Sequence, residues 1–102
     1  MTAAPTGEDA RTLARSAVEA RLAASAQIVG PVETVFWHLG ELGGGEEWQV
    51  LLRVTVEGYA ALEEHLVNEH PWDNPEVTAL PFTHAAPAYV AWIQRATTAH
   101  QA

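Results

Sequence analysis

The stretch Val32-Glu-Thr-Val-Phe-Trp-His-Leu-Gly-Glu-Leu-Gly-Gly-Gly-Glu-Glu-Trp-Gln-Val-Leu-Leu-Arg-Val54 decides the fold. Val32 to Leu42 reads as one long strand, because β-branched and aromatic residues dominate it and alternate with polar ones. Val32, Thr34, Phe36 and His38 share one face. Glu33, Val35, Trp37 and Leu39 share the other. Gly43-Gly-Gly45 reads as a turn, and Trp48 to Val54 as the returning strand of a hairpin. Both faces then carry large apolar side chains: Phe36, Trp48, Val50 and Leu52 against Val35, Trp37, Leu39 and Leu51. The helices of so short a chain cover one face of a sheet only. An apolar face left in water marks an interface, so an obligate oligomer is expected.

Upstream of the hairpin, Thr6-Gly-Glu-Asp9 is a variant capping box that opens a helix. Ala10, Leu13, Ala14, Ala17, Val18 and Leu22 follow at helical spacing, with Arg11, Arg15 and Glu19 on the other side. Gln27-Ile-Val then begins a strand interrupted by Gly30-Pro31, which predicts a break or bulge. Downstream, Thr55 caps a second helix with an apolar stripe of Tyr59, Leu62 and Leu66. Pro71 forces that helix to stop by His70. Val77 to Phe82 predicts a last strand, with Pro81 at an edge or break. Pro87 opens a C-terminal helix carrying Tyr89, Val90 and Ile93. With Thr2 to Pro5 as a truncated first strand, the order is βαββαβ. This predicts an α+β fold, a ferredoxin-like sandwich with an extra C-terminal helix, as a single domain over residues 1–102.

Composition narrows the partners. Thirteen acids face five arginines and no lysine, for a formal charge of -8. Nucleic acid and anionic membranes reward basic patches, so neither is an expected partner. The balance is compatible with cation binding and equally with simple solubility. No cysteine is present, which excludes thiolate metal sites and disulfides. The first ten residues lack the basic and apolar regions of a signal peptide. No apolar run approaches the roughly 20 residues of a membrane span. A cytoplasmic protein is the expectation.

The candidate chemistry centres on His70-Pro-Trp-Asp-Asn-Pro-Glu-Val77. Two prolines make this a rigid loop, and rigid loops carry binding groups. His70, Asp73 and Glu76 offer imidazole and carboxylate donors that suit Zn, Cu(II) or Ni. The plainer reading has His70 ending a helix, Asp73 and Asn74 making turn hydrogen bonds, and Trp72 packing. His65 and Glu69, one turn apart, could chelate or simply lie on a solvated helix face. His38 becomes a ligand if three copies meet near a threefold axis, and is otherwise a packing residue. Arg53 could clamp a carboxylate or phosphate, or pair with Glu33 or Glu41 across the hairpin. No nucleophile elbow, P-loop or dinucleotide fingerprint occurs, so no enzymatic activity is expected.

Several segments together resemble the CutA family of divalent-cation tolerance proteins. Val18 to Gln27 resembles the end of that family's first helix. Phe36-Trp-His-Leu-Gly-Glu41 resembles its aromatic strand, and Glu46-Glu-Trp-Gln49 through Arg53 the next element. His70 to Val77 resembles its His-Pro loop, and Tyr89-x-x-Trp92 its closing helix. The resemblance covers about Ala10 to Thr97. It implies a ferredoxin-like subunit in a tight homotrimer, similar to PII signalling proteins, with strand pairing between subunits. It also implies a role in binding or tolerance of divalent cations such as copper or zinc, none of them essential as a cofactor. Metal ligands are then expected among His70, Asp73, Glu76 and His38. Arg53, Trp37, Glu41 and Trp72 are expected to line an intersubunit cleft. An alternative is a PII-like signalling or scaffold trimer holding a small anion or metabolite there. The chain departs from the family pattern at four places. Ser25 stands where cysteine is typical, His38 where a tryptophan is expected, Arg53-Val54 in place of Lys-Thr, and Asn74 in place of an apolar residue.

Overall fold

The computed structural model describes residues 1–98, so residues 99–102 of the expected domain lie outside it. The elements are β1 (Thr2–Ala4), α1 (Gly7–Glu19), β2 (Ser25–His38), β3 (Glu41–Arg53), α2 (Tyr59–Glu69) and α3 (Pro87–Thr98). The sheet runs β1-β3-β2, antiparallel throughout. A single antiparallel bridge joins Thr2 to Val77 on the free side of β1. The lateral order is therefore residue 77, β1, β3, β2, the ferredoxin-like arrangement.

The last strand is much shorter than the expected Val77 to Phe82. Thr78 N–H donates to Met1 O at 3.0 Å, and the Met1 ammonium bonds Thr78 O in return. Residues 79–82 have no strand partner among the described residues. Pro81 also lacks an N–H to donate.

The hairpin turn is not at the glycine tract. β2 and β3 are joined by Leu39-Gly40, whose φ angles of 51° and 80° make a two-residue I′-type turn. His38 pairs with Glu41 across it. Gly43, Gly44 and Gly45 lie inside β3, opposite Phe36, Val35 and Thr34. A Cβ on Gly43 would stand 3.0 Å from Phe36 Cε1, so the aromatic ring occupies the space the glycine leaves. Moving the turn changes which side chains share a face. Phe36 pairs with Gly43 and Trp37 with Leu42, while Ile28 pairs with Val50. Along β3, Leu42 alternates in phase with Trp48, Val50 and Leu52. Trp37 is therefore on their face, and Phe36 on the opposite one, contrary to the sequence expectation. The Gly30-Pro31 break is a bulge: pairing shifts between Val29 and Val32, and the peptide bond is cis.

Helix α1 opens as its sequence predicts. Thr6 Oγ1 accepts from Asp9 N–H at 3.0 Å and also donates to Asp9 Oδ2 at 3.0 Å. The helix ends earlier than the apolar spacing suggested. Arg21 enters the left-handed region at φ 60°, Arg21 N–H bonds Val18 O, and Leu22 N–H bonds Ala17 O. These two bonds are the Schellman closure, usually made with glycine. The Arg21 guanidinium then reaches Ala96 O near the end of α3, at 3.2 Å. Thr55 caps the turn before α2 rather than the helix itself, accepting from Gly58 N–H at 3.0 Å.

The core lies between the helices and one face of the sheet. Leu13, Ala17, Val50, Leu62 and Leu66 are buried together, with Ala4 from β1. The many alanines of α1 let it lie close on β2 and β3. Thr2 is fully buried in this layer, and its hydroxyl has no hydrogen-bond partner among the described residues. An unsatisfied buried hydroxyl costs on the order of 1 kcal/mol or more. Thr2→Val keeps the shape and the strand propensity. It is expected to raise stability by about 1 kcal/mol, read as a higher urea midpoint with an unchanged slope.

Candidate functional site

The His70 loop is built first by its backbone. α2 stops because Pro71 forces His70 out of helical geometry, and His70 sits at φ -72°, ψ 141°. Its ring then ties the loop to the sheet. Nε2 lies 2.7 Å from Ala3 O, a pure acceptor, so Nε2 carries the proton. Trp72 N–H donates to Nδ1 at 3.1 Å. The His70 and Trp72 rings pack at 5.4 Å between centroids. Both imidazole nitrogens are thus engaged, and a metal could bind His70 only by displacing the Trp72 amide. Tyr59 Oη reaches Val77 O at 3.4 Å and ties the far end of the loop to α2. Burial, with Glu63 nearby, pushes that phenol above its ordinary pKa.

The other expected ligands do not converge on His70 within one chain. Asp73 is exposed on the loop. Glu76 accepts from Thr78 Oγ1 at 3.0 Å and lines a cavity of about 270 Å³ with Met1, Thr34, Glu47 and Gln49. Burial lowers the pKa of the Met1 ammonium beside it, while the Glu76 carboxylate acts to raise it. His38 is exposed at the far end of the hairpin, paired with Glu41. Among the described residues no three His, Asp or Glu side chains gather closely enough to hold a metal ion.

The expected cleft residues divide in the same way. Trp37 and Glu41 stand at the hairpin tip, where Trp37 is 75% exposed. Arg53 pairs with Ser25 at the opposite end of the hairpin. The twelve residue steps from Glu41 to Arg53 span about 40 Å of strand, which rules out their pairing in one chain. Glu33 is likewise remote, facing Glu46 instead. Arg53 donates to Gln27 Oε1 at 3.3 Å and lies 5.3 Å from the Phe82 ring centroid. Trp72 belongs to the His70 loop.

His65 is neither a chelator with Glu69 nor a solvated side chain. It is half-buried, and its Nε2 lies 2.8 Å from Ser16 Oγ on α1. Ser16 was not singled out from the sequence. The available signal was its place between Leu13 and Ala17 on the buried side of α1, with His65 flanking Leu62 and Leu66 on α2.

The geometry defines a class: a ferredoxin-like α+β subunit with a projecting apolar hairpin and a structural His-Pro loop. The CutA1 divalent ion tolerance family model matches residues 1–96. A divalent-cation tolerance protein CutA from Thermus thermophilus is 33% identical over 93 residues, 91% of this chain and 90% of that protein. One from Escherichia coli is 33% identical over 90 residues, 88% of this chain and 80% of that protein. Among solved structures, CutA1 from Thermus thermophilus superposes with a TM-score of 0.86 at 33% identity, covering 90% and 89% of the two chains. CutA1 from Oryza sativa gives 0.90 at 31% identity, covering 94% and 88%. The chain belongs to the CutA1 family.

Proposed function

We propose that this chain is a homotrimeric, non-enzymatic divalent-cation-binding protein of the copper-tolerance type, acting in the cytoplasm. The observation that carries the reading is the family match across nearly the whole chain, whose relatives are named for divalent-cation tolerance. The hairpin supports the assembly. Val35, Trp37, Leu39 and Leu42 are all more than half exposed, a larger apolar surface than a lone small domain normally leaves in water. Leu39 adds a second sign. It holds a left-handed φ that favours asparagine or glycine, and is 89% exposed. Strain of that kind persists where the side chain has a use, and packing against another copy supplies one. No helix among the described residues is long and apolar enough to cross a membrane.

Within the trimer, His38 is the ligand best placed for a shared cation, because both ring nitrogens are uncommitted among the described residues. Three symmetry-related imidazoles, with Glu41 beside each, make a donor set suited to Cu(II) or Zn(II). Asp73 and Glu76 could contribute from the loop. Calorimetric titration of the purified protein with Cu(II) and with Zn(II) tests this. Saturable binding that weakens at least about tenfold in His38→Ala is expected. Absence of heat with both ions would overturn the cation reading. The second reading, an anion-binding PII-like trimer, is favoured by one observation: among the described residues Arg53 has an amide and an aromatic partner but no carboxylate. A thermal shift with dicarboxylates or nucleotides, but none with metals, would select it.

A further inference from the structure

A further cavity lies elsewhere, where α1 meets α2. It holds about 690 Å³, and its lining includes Arg11, Arg15, Ser16 and His65 together with Glu8 and Glu19. Its lining comes from α1, the adjoining Ala20 and His65 of α2, so it is separate from the hairpin arm, the His70 loop and Arg53. Two of the chain's five basic residues meet here. Arg21 and Arg53 spend their guanidinium groups on Ala96 O and Gln27 Oε1. Arg11 and Arg15 have no hydrogen-bond partner among the described residues.

Spacing decides which charge the cavity favours. Arg11 and Arg15 are one turn apart on α1, roughly 6 Å along the axis, and fall on one face. Glu8 and Glu19 are separated by roughly 16 Å along the same axis, too far to share one ion. By spacing alone, the two arginines can reach one ion and the two acids cannot. Ser16 and His65, 2.8 Å apart, both line the cavity. When Nε2 of His65 carries the proton it donates to Ser16 Oγ, which frees the Ser16 hydroxyl to donate onward into the cavity. Two guanidinium forks and one hydroxyl form a donor set for an oxyanion, for which arginine geometry is well matched.

We propose that the α1–α2 groove binds a small oxyanion of the phosphate or carboxylate class, held by Arg11 and Arg15 and oriented by the Ser16 hydroxyl. The site does not depend on the cation reading, and it is distinct from the Arg53 cleft. Titration calorimetry of the intact protein with inorganic phosphate and, separately, succinate tests it. Saturable binding of at least one is expected below about 10 mM, and which one binds names the class. The double variant Arg11→Gln, Arg15→Gln is expected to weaken it at least about tenfold, and Ser16→Ala about threefold to tenfold. Arg53→Gln is expected to leave it unchanged. In the wild type, phosphate or succinate should also move the His65 ring resonances in NMR spectra, a readout that does not require any variant to fold. No saturable binding of either anion, or equal binding by the double variant, overturns the proposal. So does loss of binding in Arg53→Gln alone.

Discussion

Gly30→Ala is expected to destabilise the protein by about 2–3 kcal/mol, the cost of forcing a methyl group into filled space. A Cβ at Gly30 would stand 2.7 Å from both Cδ2 and Cε3 of Trp48. The indole has little room to retreat. A Cβ at Gly7 would already be 3.3 Å from the same ring, so the two glycines face the tryptophan from different elements. Trp48 itself packs against the buried cluster. A shift of the ring would therefore loosen the contact of β3 with the start of α1. The expected readout is a fall of roughly 10 °C or more in the melting temperature, at one fixed protein concentration because association would raise it. Gly45→Ala is the control. Nothing lies within 4 Å of a Cβ there and its φ is unexceptional, so alanine in place of a strand glycine should be neutral or stabilise by roughly 0.5 kcal/mol. Equal losses in the two variants would show that steric fit at Trp48 is not the cause.

The second large effect is on assembly. The double variant Trp37→Glu, Leu42→Glu places two charges on a cross-strand pair in the hairpin arm. Burying each of the native side chains is worth about 1.5–3 kcal/mol, repeated in each copy of a trimer. Burying unpaired carboxylates instead is strongly unfavourable. The mass by light scattering is expected to fall from about three times to one times the 11.0 kDa of a single chain. Far-UV circular dichroism should be nearly unchanged, because both residues are exposed and lie beyond the buried cluster. An unaltered mass would remove the hairpin arm from the interface.

The elements were legible where local chemistry and tertiary packing agree. The Thr6 cap, the Pro71 stop, the Gly30-Pro31 bulge and the Pro87 start all follow from single-residue backbone rules. The hairpin turn was not legible, because Gly43-Gly-Gly45 is a stronger turn signal than Leu39-Gly40. What overrode it is pairing across the sheet: Phe36 fills the space over Gly43, and glycine serves there by lacking a side chain. The last strand was overread because its length depends on a partner strand that is only three residues long.

The candidate site was legible in its residue types and not in its geometry. His70 was visible as a special residue, but its two hydrogen bonds run to Ala3 and Trp72, and only one of these is near in sequence. His38 and His70 sit at unrelated places in one chain, since distance along a hairpin depends on where it turns. The Ser16–His65 contact joins residues 49 positions apart, which no local pattern announces.

The three residues of β1 have a consequence for how the chain is made. They sit inside the sheet, with Val50 on one side of Thr2 and Val77 on the other. β1 must therefore wait for partners synthesised some 50 and 75 positions later. Such long closures are slow relative to helix formation. During synthesis α1 can form early and β1 can pair with β3 once about half of the chain has emerged, while the other edge of β1 stays open until three quarters has. Over that interval the outer edge of β1 is unpaired, and nascent chains of this protein are most exposed to mispairing there.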